Sequence, residues 1–410
     1  MKSFHDEAIL DFVASNIDEH GSHVFEKNNN SILPLVAIYG ANAAGKTNLL
    51  SAFTEMCEFI KTSTDYNEDF QKYFFLFSSF IYDTTKFKAP LEFEVTMALD
   101  YDYRYGFSVS ENSEIETEYL ELRKSPNGVF FTIFDRKKGE KVQLGKTSII
   151  SKEEKKQVSF VVDFIREKEL LLTMLGRRQR NSKFGSLSRY AALYQWFSDV
   201  QSCPECIVRD KNYIVAAENT PLFDIFSDKE ALKSYLGFVQ KADPTIINLS
   251  LESEDEVDPT NSNPRRLLAH RRFINLDESI GDVTLPTFLD SSGTQYIMQA
   301  YPIILQALQN GGVLVADEID RSLHPSLLLD VINLFTNPET NPNHAQLICT
   351  MHNVIIMDKR FMRRDEIWFV EKNSSGESSV YSLADYNDVR NDADFCKNYI
   401  LGRYGAVPVR

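Results

Sequence analysis

The sequence predicts an α/β fold with an added antiparallel β region, and three observations support that class. An apolar stretch at 33–39 precedes a glycine-rich loop, after which apolar residues recur at helical spacing from Lys46 onward. A second apolar stretch ends in two adjacent carboxylates at 317–318. Between these stretches, residues 90–150 contain runs of alternating apolar and polar side chains separated by turn residues.

The glycine-rich loop at 40–47 reads GANAAGKT and matches G-x-x-x-x-G-K-[ST], the phosphate-binding loop. Between a strand and a helix, its glycines let backbone N–H groups close around phosphates, and the helix start adds positive potential. Lys46 would then reach the β- and γ-phosphates, and the Thr47 hydroxyl would bind Mg²⁺. We expect a nucleoside triphosphate to contact Gly40, Asn42, Ala43, Ala44, Gly45, Lys46, Thr47 and Asn48.

Composition limits the class of protein. A chain of 410 residues at 43% hydrophobic can bury a large core and is expected to hold two lobes or domains. No run approaches about 18 apolar residues, so no transmembrane helix and no membrane partner are predicted. The start, MKSFHDEAILDF, has no signal-peptide hydrophobic region, and the five cysteines are mostly scattered, which suits reduced thiols. We therefore expect a cytoplasmic protein.

The charge balance bears on nucleic acid as a partner. A net charge of −15 disfavours non-specific DNA binding by the whole surface, because phosphate contacts need many lysines and arginines. Two local basic clusters, 177–180 and 265–272, keep DNA binding open without favouring it. The alternative for each cluster is a solvated basic face or pairing with nearby acids.

The chain divides into three predicted segments. The first, 1–150, carries the loop and the β region. The second, 151–260, is expected to be a mainly helical insertion, because charged and apolar residues mix there at helical spacing. Its end is expected at the acidic stretch 249–258. The third, 261–410, carries the carboxylate pair and completes the nucleotide-binding domain.

Within the first segment, only residues 8–14 could form a strand ahead of the loop strand, and the asparagines at 28–30 mark a turn. Residues 90–110 predict a hairpin of two alternating runs. Further strands are expected at 119–122 and 129–134, with a turn between them.

Cys203 and Cys206 form one CxxC pair inside the predicted insertion. A single pair supplies two zinc ligands rather than four. A zinc ion shared by two chains is one option for this pair, and free thiols are the other.

The carboxylate pair predicts the chemistry of the second half of the site. Asp317 would hold Mg²⁺, and Glu318 would polarise the attacking water as a general base. A structural role for two acids at a buried strand end would be costly without a cation or donors. A further buried strand at 345–350 is followed by His352, which could contact the γ-phosphate and orient the water or be an ordinary loop histidine.

A second helix start, at 290–295, offers another anion site. Ser291 and the N–H groups of that helix could bind phosphate, and the alternative is a plain helix cap. Two phosphate sites are redundant in one subunit. Across a head-to-tail pair of subunits they can enclose one nucleotide.

Together, GANAAGKT, SSGT, VLVADEID, SLHP and the strand ending before His352 resemble, in that order, the ABC-type ATPase heads of the SMC/RecF class. The resemblance implies an ABC-type P-loop ATPase head with an antiparallel β subdomain, a helical insertion, and ATP and Mg²⁺ as cofactors. It identifies 40–47 as Walker A, Ser291 and Gly293 as a signature motif acting in trans, and Asp317 and Glu318 as Walker B. Residues 322–324 would form the D-loop, and His352 would be the switch histidine.

More closely, the chain is similar to prokaryotic AAA/ABC-type ATPases of abortive infection and phage defence, including those paired with a TOPRIM nuclease in PARIS-like and AbiL-like systems. The stretches that carry this similarity are YGANAAGKTNLL, YRYGFSV, SSGTQ, GGVLVADEIDRSLHP, AQLICTMH, RRDEIWFVEK and YILGRYGAVP. Three departures accompany it. The opening strand is short or missing before Ser3, the signature motif reads DSSG at 290–293, and the Q-loop glutamine has only Gln71 as a candidate.

The resemblance implies an ATP-dependent sensor and switch that acts as a homo-oligomer, at least a dimer closed by ATP. No nuclease or protease pattern is present in the sequence, so we expect a separate effector, with TOPRIM-type nuclease as the leading candidate, and a phage-encoded trigger. One alternative is a RecF/SMC-like ATPase of DNA repair or chromosome maintenance. Another is a scaffold in which ATP stabilises assembly with little turnover.

Overall fold

The computed structural model describes residues 3–65, 89–180, 187–203, 214–217, 220–253, 265–274, 277, 279–386 and 393–408. In chain order the strands are β1 (Phe25–Lys27), β2 (Asn30–Ile32), β3 (Leu35–Tyr39), β4 (Leu91–Ala98), β5 (Asp102–Val109), β6 (Ile115–Arg123), β7 (Phe131–Lys137), β8 (Gln143–Leu144), β9 (Gln201–Ser202), β10 (Val215–Ala216), β11 (Ile246–Ser253), β12 (Arg265–Ile274), β13 (Ile280–Pro286), β14 (Val313–Ala316), β15 (Gln346–Thr350), β16 (Ile367–Lys372) and β17 (Ser378–Ser382). The helices are α1 (Lys46–Thr62), α2 (Lys152–Val162), α3 (Leu171–Arg180), α4 (Ser188–Ser198), α5 (Pro221–Ile225), α6 (Lys229–Ala242), α7 (Ser292–Asn310), α8 (Pro325–Thr336) and α9 (Phe395–Ile400).

These elements make a mixed α/β protein, as the sequence predicts. The chain falls into two compact units, Met1–Val200 with Asp358–Arg410, and Gln201–Met357. The three predicted segments divide instead after residues 150 and 260. None of the helices in the described part of the chain has the length and apolar character to cross a membrane.

The first unit is built around β3, whose five residues are all buried. Strand β16 lies parallel to β3, and β17 runs antiparallel along the other side of β16. Helix α1 begins at Lys46, directly after the glycine loop. The predicted strand, loop and helix around residues 40–47 are therefore confirmed. A fully buried, partly β-branched strand such as β3 is typical of a parallel sheet that is covered on both faces.

A separate antiparallel sheet in the first unit runs in the order β4, β5, β6, β7, β8. The predicted hairpin at 90–110 is formed by β4 and β5, which pair over their full length. At the centre of this sheet, the buried Glu118 carboxylate accepts hydrogen bonds from Tyr105 Oη at 3.0 Å and from Leu171 N at 2.8 Å. It also pairs with Arg136. This buried carboxylate therefore joins the sheet to the start of α3.

The N-terminal segment differs in part from the prediction. Residues 8–14 form no strand and contribute only an isolated bridge between Val13 and Ile32. The apolar residues Ile9 and Val13 are 59% and 51% exposed, so a strand in this segment would have little apolar surface to bury. The predicted turn is confirmed, because Asn28 and Asn29 adopt positive φ angles of 53° and 61° between β1 and β2. Such angles suit a two-residue hairpin turn.

In the second unit, β14 lies between β15 and β9 and is parallel to both. A second antiparallel sheet has β12 at its centre, paired with β10, β11 and β13. The acidic stretch predicted to end a helical insertion is instead strand β11 as far as Ser253, and residues 254–264 lie outside the described chain. Helix α7 continues through Pro302, and α8 begins at Pro325.

Candidate functional site

The phosphate-binding loop of the first unit is shaped by close contacts at its two glycines. A Cβ atom at Gly40 would lie 2.3 Å from the carbonyl oxygen of Val370 on β16. A Cβ atom at Gly45 would lie 2.6 Å from Ser378 Oγ on β17, and Gly45 also has a φ angle of +114°. Only glycine fits these positions. The loop is therefore packed directly against β16 at Gly40 and against β17 at Gly45.

Lys46 is held inside the curve of this loop. Lys46 is only 7% exposed, and its Nζ donates hydrogen bonds to Gly40 O at 2.8 Å and to Ala41 O at 3.2 Å. Helix α1 begins here after Gly45, which has no side chain with which to cap the first N–H groups. A buried ammonium and a glycine-capped helix start together favour an anion in the loop.

The other predicted loop contacts divide into exposed and buried positions. Asn42, Ala43 and Thr47 are exposed, whereas Ala44 is buried. The side chain of Asn48 contacts the N-terminal segment, where its Nδ2 donates to Ser3 Oγ at 2.9 Å. The nucleotide contact expected of Asn48 remains a prediction.

In the second unit, the two carboxylates predicted as Walker B follow the end of β14. The hydroxyl of Thr350, at the end of β15, donates to the Asp317 carboxylate and accepts from Glu318 N at 2.7 Å. One threonine thus orients both the predicted metal ligand and the backbone of the predicted base. Glu318 also has a positive φ angle of 48°, which is strained for a residue with a side chain.

Glu318 and His352 are brought together at the ends of adjacent strands. Ala316 of β14 pairs with Cys349 of β15 in parallel register, so the residues that follow each strand emerge at the same edge. His352 Nε2 lies 3.5 Å from Glu318 Oε1, and the two side chains are 42% and 48% exposed. The predicted base and switch histidine are therefore neighbours on an accessible edge.

The turn after Walker B is fixed by Asp320. Its carboxylate accepts hydrogen bonds from His352 N at 2.7 Å and from Asn353 N. Sequence inspection gave neither Asp320 nor Thr350 a role. Their signal was weak, because each acts on residues about thirty positions away in the chain.

The predicted signature motif forms the start of α7. Ser291 is the N-cap residue, and its Oγ accepts from Thr294 N at 3.2 Å and lies 2.8 Å from Thr294 Oγ1. This is the helix-cap geometry that the sequence offered as the alternative. A serine hydroxyl that accepts one N–H still has a proton to donate, so the cap leaves room for a phosphate contact. Gly293 packs against the D-loop, where an added Cβ would lie 2.5 Å from Ser322 O.

One arginine of each basic cluster is paired with acidic side chains within the protein. Arg177 binds the Asp65 carboxylate, with Nη2 to Oδ2 at 2.8 Å, and this hydrogen bond holds the pKa of Asp65 below its ordinary value. Arg271 binds Asp243 and Asp290. Pairing with nearby acids, the alternative to DNA contacts, is thus what these two arginines do.

The CxxC pair falls only partly within the described chain. Cys203 is buried and free, and burial raises the pKa of its thiol to about 11. Cys206 lies outside the described residues, as does Gln71, the candidate Q-loop glutamine. Among the residues that the structure describes, no cluster of three or more His, Cys, Asp or Glu side chains could hold a metal ion.

Within the first unit, the glycine-capped helix start and the buried Lys46 ammonium fit a phosphate group. Within the second unit, the oriented Asp317 carboxylate has the donor chemistry for a divalent cation, and Glu318 and His352 lie close to each other. The phosphate-binding loop between its strand and its helix places the chain in the class of P-loop NTPases.

A family model described as "AAA domain, putative AbiEii toxin, Type IV TA system" matches residues 35–358. This match covers most of the chain, and the chain belongs to that family of P-loop AAA ATPases of abortive-infection and toxin–antitoxin type. A search of the curated proteins finds no match.

Proposed function

We propose that this chain is the ATP-hydrolysing sensor and switch of an abortive-infection defence system. Two copies close over ATP, and a separate effector performs the toxic step. The observation that carries the ATPase part is the placement of Glu318 and His352, 3.5 Å apart beside the oriented Asp317. The family match supports the link to abortive infection.

In this mechanism the loop and Lys46 bind the phosphates, and Thr47 and Asp317 hold Mg²⁺. A cation held by these residues would neutralise charge that develops on the transferred phosphoryl group. Glu318 accepts the proton of the attacking water, and His352 orients that water toward the γ-phosphate. Thr350 keeps Asp317 and Glu318 in fixed relation during the step.

The second copy contributes Ser291 and Gly293 to the γ-phosphate. A hydroxyl at the start of the long helix α7 is suited to that contact, since the helix dipole favours negative charge there. Hydrolysis removes the γ-phosphate and reopens the pair. By analogy with PARIS-like and AbiL-like systems, a phage product changes the pair of copies between its closed and open states, and this change releases a TOPRIM-type nuclease.

The test combines turnover with assembly. Purified protein is assayed for phosphate release, and its mass in solution is measured with and without ATP and Mg²⁺. We expect ATP-dependent association that Glu318→Gln stabilises and Lys46→Ala prevents. A mass of Glu318→Gln that does not change with ATP would contradict the switch. Turnover stimulated by DNA would favour the DNA-repair alternative.

The defence role needs a separate test. The neighbouring gene should encode a TOPRIM-type nuclease, and co-expression of the two should protect cells from phage only when Lys46 is intact. Protection by the Lys46→Ala variant would separate the defence role from ATP binding.

A further inference from the structure

A buried ion network lies directly behind the predicted signature motif. Arg271, on the central strand β12, has a side chain only 13% exposed. Its Nη1 donates to Asp243 Oδ2 and to Thr245 Oγ1, each at 2.6 Å, and its Nη2 pairs with Asp290 Oδ1. One guanidinium thus joins β12 and the turn after α6 to the residue that precedes Ser291.

The partner of Arg271 in this network is unusually placed. The Asp290 side chain is 3% exposed, and its second oxygen, Oδ2, has no hydrogen-bond partner among the described residues. Its backbone carbonyl accepts from Gln295 Nε2 at 2.7 Å, so the backbone of Asp290 is tied to the first turn of α7 and its side chain to Arg271. The compensation of this buried charge therefore depends on Arg271.

The position of Asp290 creates a conflict that Arg271 resolves. A carboxylate before a helix start is favourable for the helix, because it interacts with the dipole. The same carboxylate repels a phosphate that approaches Ser291, and burial strengthens that repulsion. A guanidinium bound to Asp290 cancels its field and leaves the N–H groups of α7 available to an anion.

We propose that Arg271 is a positioning residue for the signature motif. It neutralises Asp290 and holds the turn at 290–293 so that Ser291 and Gly293 take the γ-phosphate of ATP bound by a second copy. This inference rests on the proposed function, since it names a control on the same composite site. It also gives the basic cluster at 265–272 an internal role in place of a DNA contact.

The test uses full-length protein in the Glu318→Gln background, where hydrolysis does not dissipate the ATP-bound state. The variants are Arg271→Gln, Asp290→Asn, their combination, and Arg272→Gln as a matched control. Arg272 is the next residue of the same strand and is exposed, so its replacement removes the same charge. Two quantities are measured for each variant. One is the affinity for a fluorescent ATP analogue at concentrations where the protein is monomeric, and the other is the dissociation constant of ATP-dependent self-association.

We expect Arg271→Gln to leave nucleotide affinity of the monomer unchanged and to weaken ATP-dependent association by at least about tenfold, because it leaves a buried charge unpaired. Asp290→Asn in the same chain should restore most of the association, since the unpaired charge is gone. Arg272→Gln should behave as the parent. If Arg271→Gln does not fold, the folded double variant still carries the comparison, because it should associate like Asp290→Asn alone.

Two results would overturn the inference. The first is association that is unchanged in Arg271→Gln. The second is a double variant as defective as the single one, which would reduce Arg271 to a packing role. Ser291→Ala separates this inference from the proposed function. Normal association in Ser291→Ala removes the Ser291 contact in trans and the role of Arg271 with it, but leaves the ATP-dependent switch standing. A defect in Ser291→Ala that Arg271→Gln does not share removes the role of Arg271 alone.

Discussion

Two helix starts carry the predicted phosphate contacts, and they are built differently. Helix α1 follows Gly45, has no capping side chain at that position, and opens beside the buried Lys46. Helix α7 follows Ser291, whose hydroxyl already caps Thr294 N, and has the compensated Asp290 behind it. The first start has the features expected of an anion site within one chain. The second is satisfied without a ligand and is suited to a contact made only when another copy arrives.

This difference assigns separate roles to the two starts. Variants at α1 should remove nucleotide binding itself, since an anion there would interact with a charged donor and with the N–H groups of a helix start. Variants at α7 should leave nucleotide binding by a single chain intact and change association. Measuring both quantities for each variant is therefore the way to break or sharpen the comparison.

The largest effect is expected at α1. Lys46→Ala should weaken ATP binding by at least about 100-fold, because a hydrogen bond from a charged group contributes about 1.5–3 kcal/mol and the phosphates would lose more than one. Titration calorimetry with ATP and Mg²⁺ measures this directly. Lys27→Ala, at an exposed lysine outside the loop, is the control. Unchanged affinity in Lys46→Ala would remove the loop as the nucleotide site.

The next largest effect is expected at the base. Glu318→Gln keeps the shape of the side chain but cannot accept a proton, so kcat should fall by about 10²- to 10⁴-fold. ATP binding should persist, and the associated form should accumulate. Phosphate release and solution mass report the two effects, with the exposed Glu339→Gln as control. Full turnover in Glu318→Gln would transfer the role of base to another group.

At α7, the cap and the phosphate contact can be separated at one residue. Aspartate caps a helix as well as serine does, so Ser291→Asp should leave Tm unchanged. Its charge should nevertheless prevent ATP-dependent association, while the affinity of a single chain for ATP stays the same. Ser291→Ala should lower stability by about 1 kcal/mol through the lost cap and weaken association less. Ser291→Thr keeps the hydroxyl and serves as control.

Association of Ser291→Asp at the level of the parent would show that α7 takes no phosphate. In that event, the cap geometry of Ser291 would be its whole role. The comparison between the two helix starts would then reduce to one nucleotide site and one ordinary helix.

Sequence patterns predicted the parts of the site that depend on neighbours in the chain. The strand before the loop, the helix at Lys46 and the strand ending at Ala316 are local signals of apolar periodicity and glycine. The positions of Glu318 and His352 after adjacent strands were also predictable, because each follows a recognisable buried strand. The mixed α/β class followed from the same signals, whereas the ABC-type details remain proposals.

The parts that were missed depend on contacts between distant residues. Thr350 acts on Asp317, and Arg271 acts on Asp290 and Asp243, across intervals that no local pattern spans. Strand β11 was missed for another reason. Leu249 and Leu251 alternate there with polar residues, but the acidic composition was given more weight than the alternation.

The smallest effect on turnover is expected at Thr350, where a single hydroxyl is tested. Thr350→Val preserves shape and removes both the bond to Asp317 and the acceptor for Glu318 N. An unsatisfied buried group of this kind costs about 1–3 kcal/mol. We expect kcat to fall by roughly tenfold, which is 1.4 kcal/mol in the barrier, and the Mg²⁺ concentration for half-maximal rate to rise.

Thr350→Ser is the matched control, because it keeps the hydroxyl and loses only a methyl group. It should retain both the rate and the Mg²⁺ dependence of the parent. A Thr350→Val variant that melts at a lower temperature yet turns over normally would show that the hydroxyl supports the fold alone. Loss of the rate with unchanged Mg²⁺ dependence would instead show that its bond to the Glu318 backbone matters more than its bond to Asp317, since only Asp317 is expected to hold the cation.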